Sequence, residues 1–173
     1  MKLLAALPAL PLLAVAACVP RPQPNPPVQL PPQSAPTPTP PRPTPTYANW
    51  MDFPATPGNW SFREASGFST AFFSEMASPT LFSMRCDAGK REIVLSRWGR
   101  TTGQSLTVRT ETQTRTIAGA PSGMAIEGRV PASDRLLDAM ALSKGRFAVE
   151  VAGAPTLYLP SWAEVTRVIE DCR

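Results

Sequence analysis

Histidine is absent from the 173 residues of this sequence. Histidine is the commonest general base near neutral pH and the commonest metal ligand, so its absence excludes serine–histidine catalytic triads and histidine metal sites. Cysteine is scarce: Cys18 ends an apolar leader, and only Cys86 and Cys172 follow. Cys-x-x-Cys pairs and calcium-loop spacings are also missing, so the sequence predicts no metal site, no cofactor and no enzyme.

Acidic residues are absent from the first 46 positions, whereas Lys2, Arg21 and Arg42 lie there. The formal charge of +4 therefore falls to +1 over residues 47–173, which hold 14 basic and 13 acidic residues. Because these charges are interspersed and nearly balanced, they do not form the basic footprint of a nucleic-acid-binding domain. We expect no nucleic-acid partner.

Residues 1–17 have the parts of a secretory signal peptide: Lys2, an apolar stretch over 3–15, and small residues before Cys18. The stretch is too short to span a bilayer comfortably and is interrupted by two prolines. The sequence therefore predicts an exported protein rather than one held by a transmembrane helix.

The run Val15-Ala16-Ala17-Cys18 resembles the lipobox of bacterial lipoproteins. The resemblance implies that the leader is removed and that Cys18 carries the lipid that anchors the chain to a membrane. Two or three acyl chains anchor a protein stably, whereas one is marginal. Val19 and Pro20 do not match the aspartate signal that commonly retains lipoproteins at the inner membrane. We expect a periplasm-facing outer-membrane anchor, with the inner membrane and the cell surface as alternatives.

Proline dominates residues 18–46: 13 prolines occur between Val19 and Thr46. Proline fixes φ and lacks an N–H donor, so this segment is predicted to be a disordered linker that samples polyproline II, with a reach on the order of 80 Å. Its alternatives are a ligand for a proline-recognising groove and a tether that threads peptidoglycan.

The remaining residues, 47–173, alternate short extended runs with turns. This pattern predicts a mainly β domain, an antiparallel sandwich or open barrel, with two short α-helices, the second C-terminal. Trp60 and Phe62 are predicted to share one strand face. The other predicted strands are Thr80–Cys86, Glu92–Trp98, Ser105–Thr110, Thr112–Ala118, Met124–Val130, Arg146–Val151 and Thr156–Leu159.

Helix signals follow two of these runs. Ser133 or Asp134 can cap a helix that continues through Leu142, and Ser161 with Glu164 has capping-box spacing before a helix that ends at Cys172. An even pair of cysteines in an exported domain favours a disulfide between Cys86 and Cys172, with buried free thiols as the alternative.

Several side-chain groups have both an ordinary and a functional interpretation. The aromatic residues near the domain's start are assigned to the core, with an exposed partner-binding patch as the alternative: Trp50, Trp60, Phe62, Phe68, Phe72 and Phe73. Arg97, Arg100, Arg109 and Arg115 are assigned to a solvated sheet face, with a basic face for an acidic partner as the alternative. Asp134 and Asp138 are assigned to helix capping and ion pairs, with paired catalytic carboxylates as the alternative. Ser143-Lys144 is assigned to a turn, with a serine–lysine pair as the alternative.

The order of elements resembles small envelope domains of the invasion-associated locus B and type VI secretion-associated families. The matching segments are Leu81-x-x-x-x-Cys86, Leu106-x-Val108-Arg109 and Val168-Ile169-Glu170-Asp171-Cys172. The segment 134–147 is similar to lipoproteins of alphaproteobacteria. These outline matches carry over no functional residue. Together with the absence of a catalytic signature, they lead us to expect a non-enzymatic envelope lipoprotein that binds another envelope component through protein contacts.

The Phe82–Gly89 run also resembles lipoprotein inhibitors of lysozyme. Those proteins carry an inhibitory Ser-Gly-x-x-Tyr loop, for which Ser122-Gly123 is the nearest match here, without the tyrosine. Inhibition of a hydrolase such as lysozyme is therefore the alternative function.

Overall fold

The computed structural model describes residues 49–65, 67–76 and 78–173. The predicted signal peptide, Cys18 and the proline-rich linker lie outside the described residues. The described part is mainly antiparallel β structure with two helices, the second C-terminal, and this confirms the predicted fold class.

Among the described residues, nine strands and two α-helices follow a short 3₁₀ turn at Trp50–Asp52. The strands are β1 (Asn59–Ala65), β2 (Phe68–Ser74), β3 (Thr80–Asp87), β4 (Glu92–Trp98), β5 (Ser105–Arg109), β6 (Thr114–Ser122), β7 (Ala125–Pro131), β8 (Arg146–Glu150) and β9 (Leu157–Pro160). The helices are α1 (Arg135–Ala141), between β7 and β8, and α2 (Ala163–Asp171), after β9.

The strands form one sheet in the order β1-β2-β3-β4-β7-β6-β5-β8-β9. Every neighbouring pair is antiparallel. The sheet curls into a half-barrel. Of the two architectures that the sequence left open, the fold is therefore the open one, with a single curled sheet rather than two packed sheets.

The curl depends on a change of partner within β6. Its first part, Thr114–Ala118, pairs with β5, and its second part, Gly119–Ser122, pairs with β7. At this corner Gly119 lies opposite Gly128. A Cβ atom on Gly119 would lie 2.6 Å from the Cγ2 of Ile126, and one on Gly128 would lie 2.9 Å from the Cγ2 of Ile117. Only glycine lets the two strands pack this closely against those side chains.

The core lies on the inner face of the sheet. Trp60, Phe73 and Phe82 are paired in one line across β1, β2 and β3. The ring of Trp60 contacts those of Phe73 and Phe82 edge to face, and Phe82 contacts Phe147 of β8 in the same manner. Helix α2 packs on β2 and β3, and its residues Val165, Val168 and Ile169 are buried there. Aromatic burial and α2 therefore stabilise the half-barrel from within.

The hairpin of β3 and β4, the hairpin of β5 and β6, and strands β7 to β9 lie close to their predicted positions, as does α1 with Asp134 as its N-cap. Strand β2 was not predicted. The predicted capping box of α2 is wrong: Trp162 is the N-cap and no side chain caps the helix. Pro160 still belongs to β9, and the N–H of Ser161, directly after the strand, donates to the carbonyl of Gly145, the residue before β8.

Candidate functional site

An open cleft of about 730 Å³ lies where two chain connections meet at one end of the half-barrel. One wall is the β4–β5 connection, Gly99–Gln104. The other is the β6–β7 turn with its flanks, Pro121 and Gly123–Ile126. We call this feature the loop cleft. Its volume is in the range of sites that hold small molecules or partner side chains.

Backbone hydrogen bonds hold both walls of the loop cleft. The N–H of Gly99 donates to the carbonyl of Met124 at 2.9 Å and so joins one wall to the other. The N–H groups of Thr102 and Gly103 both donate to the carbonyl of Ala152, at 2.9 and 3.0 Å. Because these bonds fix the connection at both ends, the main chain holds the two walls of the loop cleft in place.

A buried arginine lies directly behind the loop cleft. Arg97 is only 5% exposed, and its guanidinium donates to the main-chain carbonyls of Leu81, Trp98 and Pro155. A Cβ on Gly99, in the wall of the cleft, would lie 3.7 Å from Nη1 of Arg97. Burial lowers the pKa of the Arg97 guanidinium from its ordinary value. The guanidinium thus ties β3, β4 and the β8–β9 connection together at this end of the fold.

The side chains of the loop cleft are suited to binding. They comprise aliphatic groups, threonine hydroxyls, the amide of Gln104 and the guanidinium of Arg100. Met124 is 77% exposed at the tip of the β6–β7 turn, and Arg100 is also exposed. The lining residues include no His, Asp, Glu, Cys, Lys or Tyr, the usual general acids and bases, so the cleft offers contact surface and hydrogen bonds.

The four arginines singled out in the sequence do not form a common face. Arg97 is buried, Arg100 lines the loop cleft, and Nε of Arg109 lies 2.7 Å from a carboxylate oxygen of Glu150. The guanidinium of Arg115 lies 2.6 Å from the carboxylate of Asp134. Arg115 is opposite Val108 in the register, so Arg109 and Arg115 leave opposite faces of the sheet. The alternative of a basic face on these residues is wrong, and so is the assignment of Arg97 to a solvated face, because its side chain is buried.

The other polar residues singled out have structural contacts. The Asp134 carboxylate accepts the N–H of Leu136 at 2.9 Å, as an N-cap does, and the Asp138 carboxylate lies 2.7 Å from the guanidinium of Arg173. The hydroxyl of Ser143 donates to the carbonyl of Arg146 at 2.6 Å. The Nζ of Lys144, the next residue, lies 3.4 Å from a carboxylate oxygen of Glu111.

The two domain cysteines meet as the sequence predicts. Cys86 in β3 and Cys172 after α2 are joined by a disulfide, with their Cα atoms 5.4 Å apart and a sequence separation of 86. Both cysteines are buried. The disulfide therefore links the C-terminal helix α2 to the hairpin of β3 and β4.

The aromatic residues near the domain's start divide between two environments. Trp60 and Phe73 are buried in the core, as predicted, and Phe62 is partly buried against it. Phe68 is 40% exposed, and Phe72 is half-buried on the outer face of the sheet. Phe72 and Phe73 are neighbours in β2, and neighbouring residues of a strand point to opposite faces, so Phe73 enters the core while Phe72 and Phe68 lie on the outer face. Trp50, in the 3₁₀ turn, is half-buried.

Within residues 49–65, 67–76 and 78–173, no three His, Cys, Asp or Glu side chains are grouped closely enough to hold a metal ion. In the same part of the chain, no helix has the length and apolar character needed to cross a membrane. No protein-family model, curated protein or solved structure matches this chain.

Proposed function

We propose that this protein is an exported lipoprotein whose domain is a non-enzymatic binding module of the cell envelope. The sequence Val15-Ala16-Ala17-Cys18 supports lipid attachment at Cys18, and the proline-rich linker supplies reach from the membrane. A disulfide between Cys86 and Cys172 is typical of an oxidising compartment such as the periplasm. A periplasm-facing anchor in the outer membrane accounts for both features.

The loop cleft is the observation that supports binding of an envelope protein. Its walls are held by backbone bonds, so little conformational entropy is lost when a partner enters. Met124 at its edge is a flexible, polarisable side chain of the kind that adapts to protein partners. The exposed guanidinium of Arg100 adds a residue type that is enriched at interfaces. The partner is expected to insert a side chain or a turn into the cleft.

The anchor is tested by the intact mass of the protein extracted from membranes, with and without reduction and alkylation. The expected species begins at Cys18, carries acyl chains, and exposes two further thiols only after reduction. The Cys18→Ser variant is expected to lose the acyl mass and leave the membrane fraction. A mass that retains residues 1–17 would exclude the lipoprotein assignment.

The binding site is tested by site-specific photo-cross-linking in intact cells. A photoreactive residue at Met124 is expected to give a discrete adduct of fixed mass. The matched control is Leu142, an equally apolar side chain on the C-terminal side of α1 that is 80% exposed, close to the 77% of Met124. Adducts of equal yield at Leu142, or none at Met124, would contradict binding at the loop cleft.

The β6–β7 turn also supports a second candidate, inhibition of a hydrolase such as lysozyme. Ser122, Gly123 and Met124 are all exposed at the tip of this turn, and Gly123 has a φ of 58°. A protruding tight turn is a suitable shape for entering an enzyme cleft. Stoichiometric loss of lysozyme activity, relieved by Met124→Glu, would favour this function over binding to an envelope component without inhibition.

A further inference from the structure

Three arginines lie in one line across the outer face of the sheet. The register places Arg63 opposite Thr70 and Thr70 opposite Arg85, and it continues through Val94 to Arg129. Directly opposed residues share a face, and the core lies on the other face, so all three arginines are directed away from the core. Alternate strands are roughly 10 Å apart, which sets the spacing of these cations.

Two of the arginines are held over aromatic rings rather than by carboxylates. The guanidinium of Arg63 lies 5.8 Å from the ring centre of Phe72, and that of Arg85 lies 5.2 Å from that of Phe68. Neither arginine has an ion pair with a carboxylate in the described part of the chain. We call Arg63, Phe68, Phe72 and Arg85 the arginine face. It combines two unneutralised cations with an exposed aromatic ring.

Within the strands, the acidic side chains directed to this side of the sheet lie outside β1 and β2; Glu64 of β1 has the opposite parity to Arg63, and Glu75 follows the end of β2. Glu127 pairs with Arg129 at 3.5 Å, and Asp87 pairs with Lys90 at 3.3 Å. Glu92 lies opposite Asp87, at the turn end of β3 and β4. Anionic groups are therefore attracted to the part of the face formed by β1, β2 and the middle of β3.

A small polar cavity of about 130 Å³ adjoins the arginine face. Its lining includes Arg63, Phe72 and three hydroxyl residues, Ser61, Ser74 and Thr80, and the hydroxyl oxygens of Ser74 and Thr80 are 3.4 Å apart. A guanidinium and several hydroxyls can donate together to the oxygens of one phosphate group. A water molecule takes up about 30 Å³ in the liquid, so the cavity volume corresponds to several water molecules and is large enough for a phosphate group.

We propose that the arginine face docks on an anionic phospholipid surface, with a lipid phosphate at the Arg63 cavity and the Phe68 ring among the headgroups. Lipid phosphates are distributed over the whole bilayer surface, so a row of cations can contact them without a partner protein of complementary shape. Aromatic side chains favour the membrane–water interface, which accounts for the exposure of Phe68. The inference rests on the proposed lipid anchor in one respect: the anchor keeps the domain at a high local concentration near the membrane, because docking of a tethered domain is intramolecular.

The test measures vesicle binding by the chain from residue 18 onward with Cys18→Ser, which keeps every contact described above and has no lipid. Sedimentation uses vesicles of equal parts phosphatidylglycerol and phosphatidylcholine, or of phosphatidylcholine alone. Binding is expected only with phosphatidylglycerol and is expected to weaken as salt is added. Arg63→Gln or Arg85→Gln should each lower the partition coefficient about fivefold, the effect of one cation near an anionic surface.

The matched control is Arg135→Gln, which removes the same charge from an exposed position in α1. It is expected to bind vesicles within about twofold of the unaltered chain, since non-specific charge effects are small at a distance. Equal losses in Arg63→Gln and Arg135→Gln would overturn the assignment of this face.

Two further outcomes would also overturn it. Binding of inorganic phosphate by a chain that does not sediment with the vesicles would show that the cavity binds free anions rather than lipid phosphates. Tighter binding to soluble polyglutamate than to phosphatidylglycerol vesicles, at an equal concentration of negative charge, would point to an acidic protein instead. Because the tested chain carries no acyl group, failure here leaves the lipid attachment at Cys18 to be decided by its own mass measurement.

Discussion

The indole Nε1 of Trp60 donates a hydrogen bond of 2.8 Å to the main-chain carbonyl of Pro160. This bond links β1 to β9, the two edge strands of the sheet. The edge of β9 is also covered, because Thr56 donates its N–H to the carbonyl of Tyr158 at 3.0 Å and accepts the Tyr158 N–H at 2.8 Å. Edge strands are liable to pair with other chains, so these contacts protect the open half-barrel from aggregation.

The first prediction concerns this link. Trp60→Phe keeps an aromatic ring in the core but removes the donor, so the carbonyl of Pro160 loses its partner in a partly buried position. We expect the free energy of unfolding to fall by about 1–3 kcal/mol, measured by urea denaturation. Trp162→Phe is the control, because Trp162 is 45% exposed. Equal destabilisation by both substitutions would contradict a specific role for the bond.

The second prediction concerns the disulfide. Cys86 and Cys172 close a loop whose ends are 86 positions apart. The Cys86→Ala/Cys172→Ala double variant frees this loop in the unfolded chain, and the chain-entropy estimate for the loss is about 4–5 kcal/mol. Urea unfolding of the oxidised chain, the reduced chain and the double variant checks this value. The reduced chain should match the double variant; a reduced chain as stable as the oxidised one would contradict it.

Local patterns predicted the hairpins well because their signals are contiguous in the sequence. Asp87 and Gly89 mark the β3–β4 turn, and threonine-rich alternation marks β5 and β6. Strand β2 was missed because its inward and outward faces both carry phenylalanine, as Phe73 and Phe72 show, which hides the alternation. The register shift between Phe73 and Ser74 disturbs the period further.

Long-range register explains why the loop cleft and the arginine face were not predicted. Arg85 in β3 and Arg129 in β7 share a line only because β4 pairs with β7 and leaves β5 and β6 to the other side of the sheet. The two walls of the loop cleft likewise come from separate connections, Gly99–Gln104 and Pro121–Ile126, whose nearest residues are 17 positions apart in the chain. No local period or spacing in the sequence specifies these pairings.

The third prediction concerns the acid dependence of stability. Burial raises the pKa of the Asp134 carboxyl, but hydrogen bonds from Arg115 and from the N–H of Leu136, with the charge of Arg115, outweigh burial and hold the pKa below its usual range. The stabilisation is therefore complete above the ordinary carboxyl pKa of about 3.9 and is lost as the pH falls through the lower folded value.

Two substitutions separate the charge of Asp134 from its role as the N-cap. Asp134→Asn can still accept the Leu136 N–H, so it should retain the helix cap and show a smaller loss of stability between about pH 7 and pH 3 than the unaltered chain. Asp134→Ala should cost about 1 kcal/mol at neutral pH as well. Asp171→Asn, at an exposed carboxylate, is the control. An unchanged acid dependence in Asp134→Asn would show that the ion pair with Arg115 does not contribute.

The fourth prediction concerns the corner of the sheet at Gly119. In Gly119→Ala the new Cβ would lie 2.6 Å from Cγ2 of Ile126 and 3.1 Å from Cδ1 of Leu106, both buried. Strand β6 must then shift where it changes partner from β5 to β7. We expect the free energy of unfolding to fall by about 1–3 kcal/mol, the usual cost of overpacking a core. Gly89→Ala is the control, because the nearest atom to its Cβ would be a flexible Asp87 oxygen at 3.7 Å.

The corner at Gly119 also leads through Pro121 into the loop cleft. Gly119→Ala should therefore weaken photo-cross-linking from Met124 as well as stability. Full cross-linking in a destabilised variant would show that the cleft does not depend on the corner.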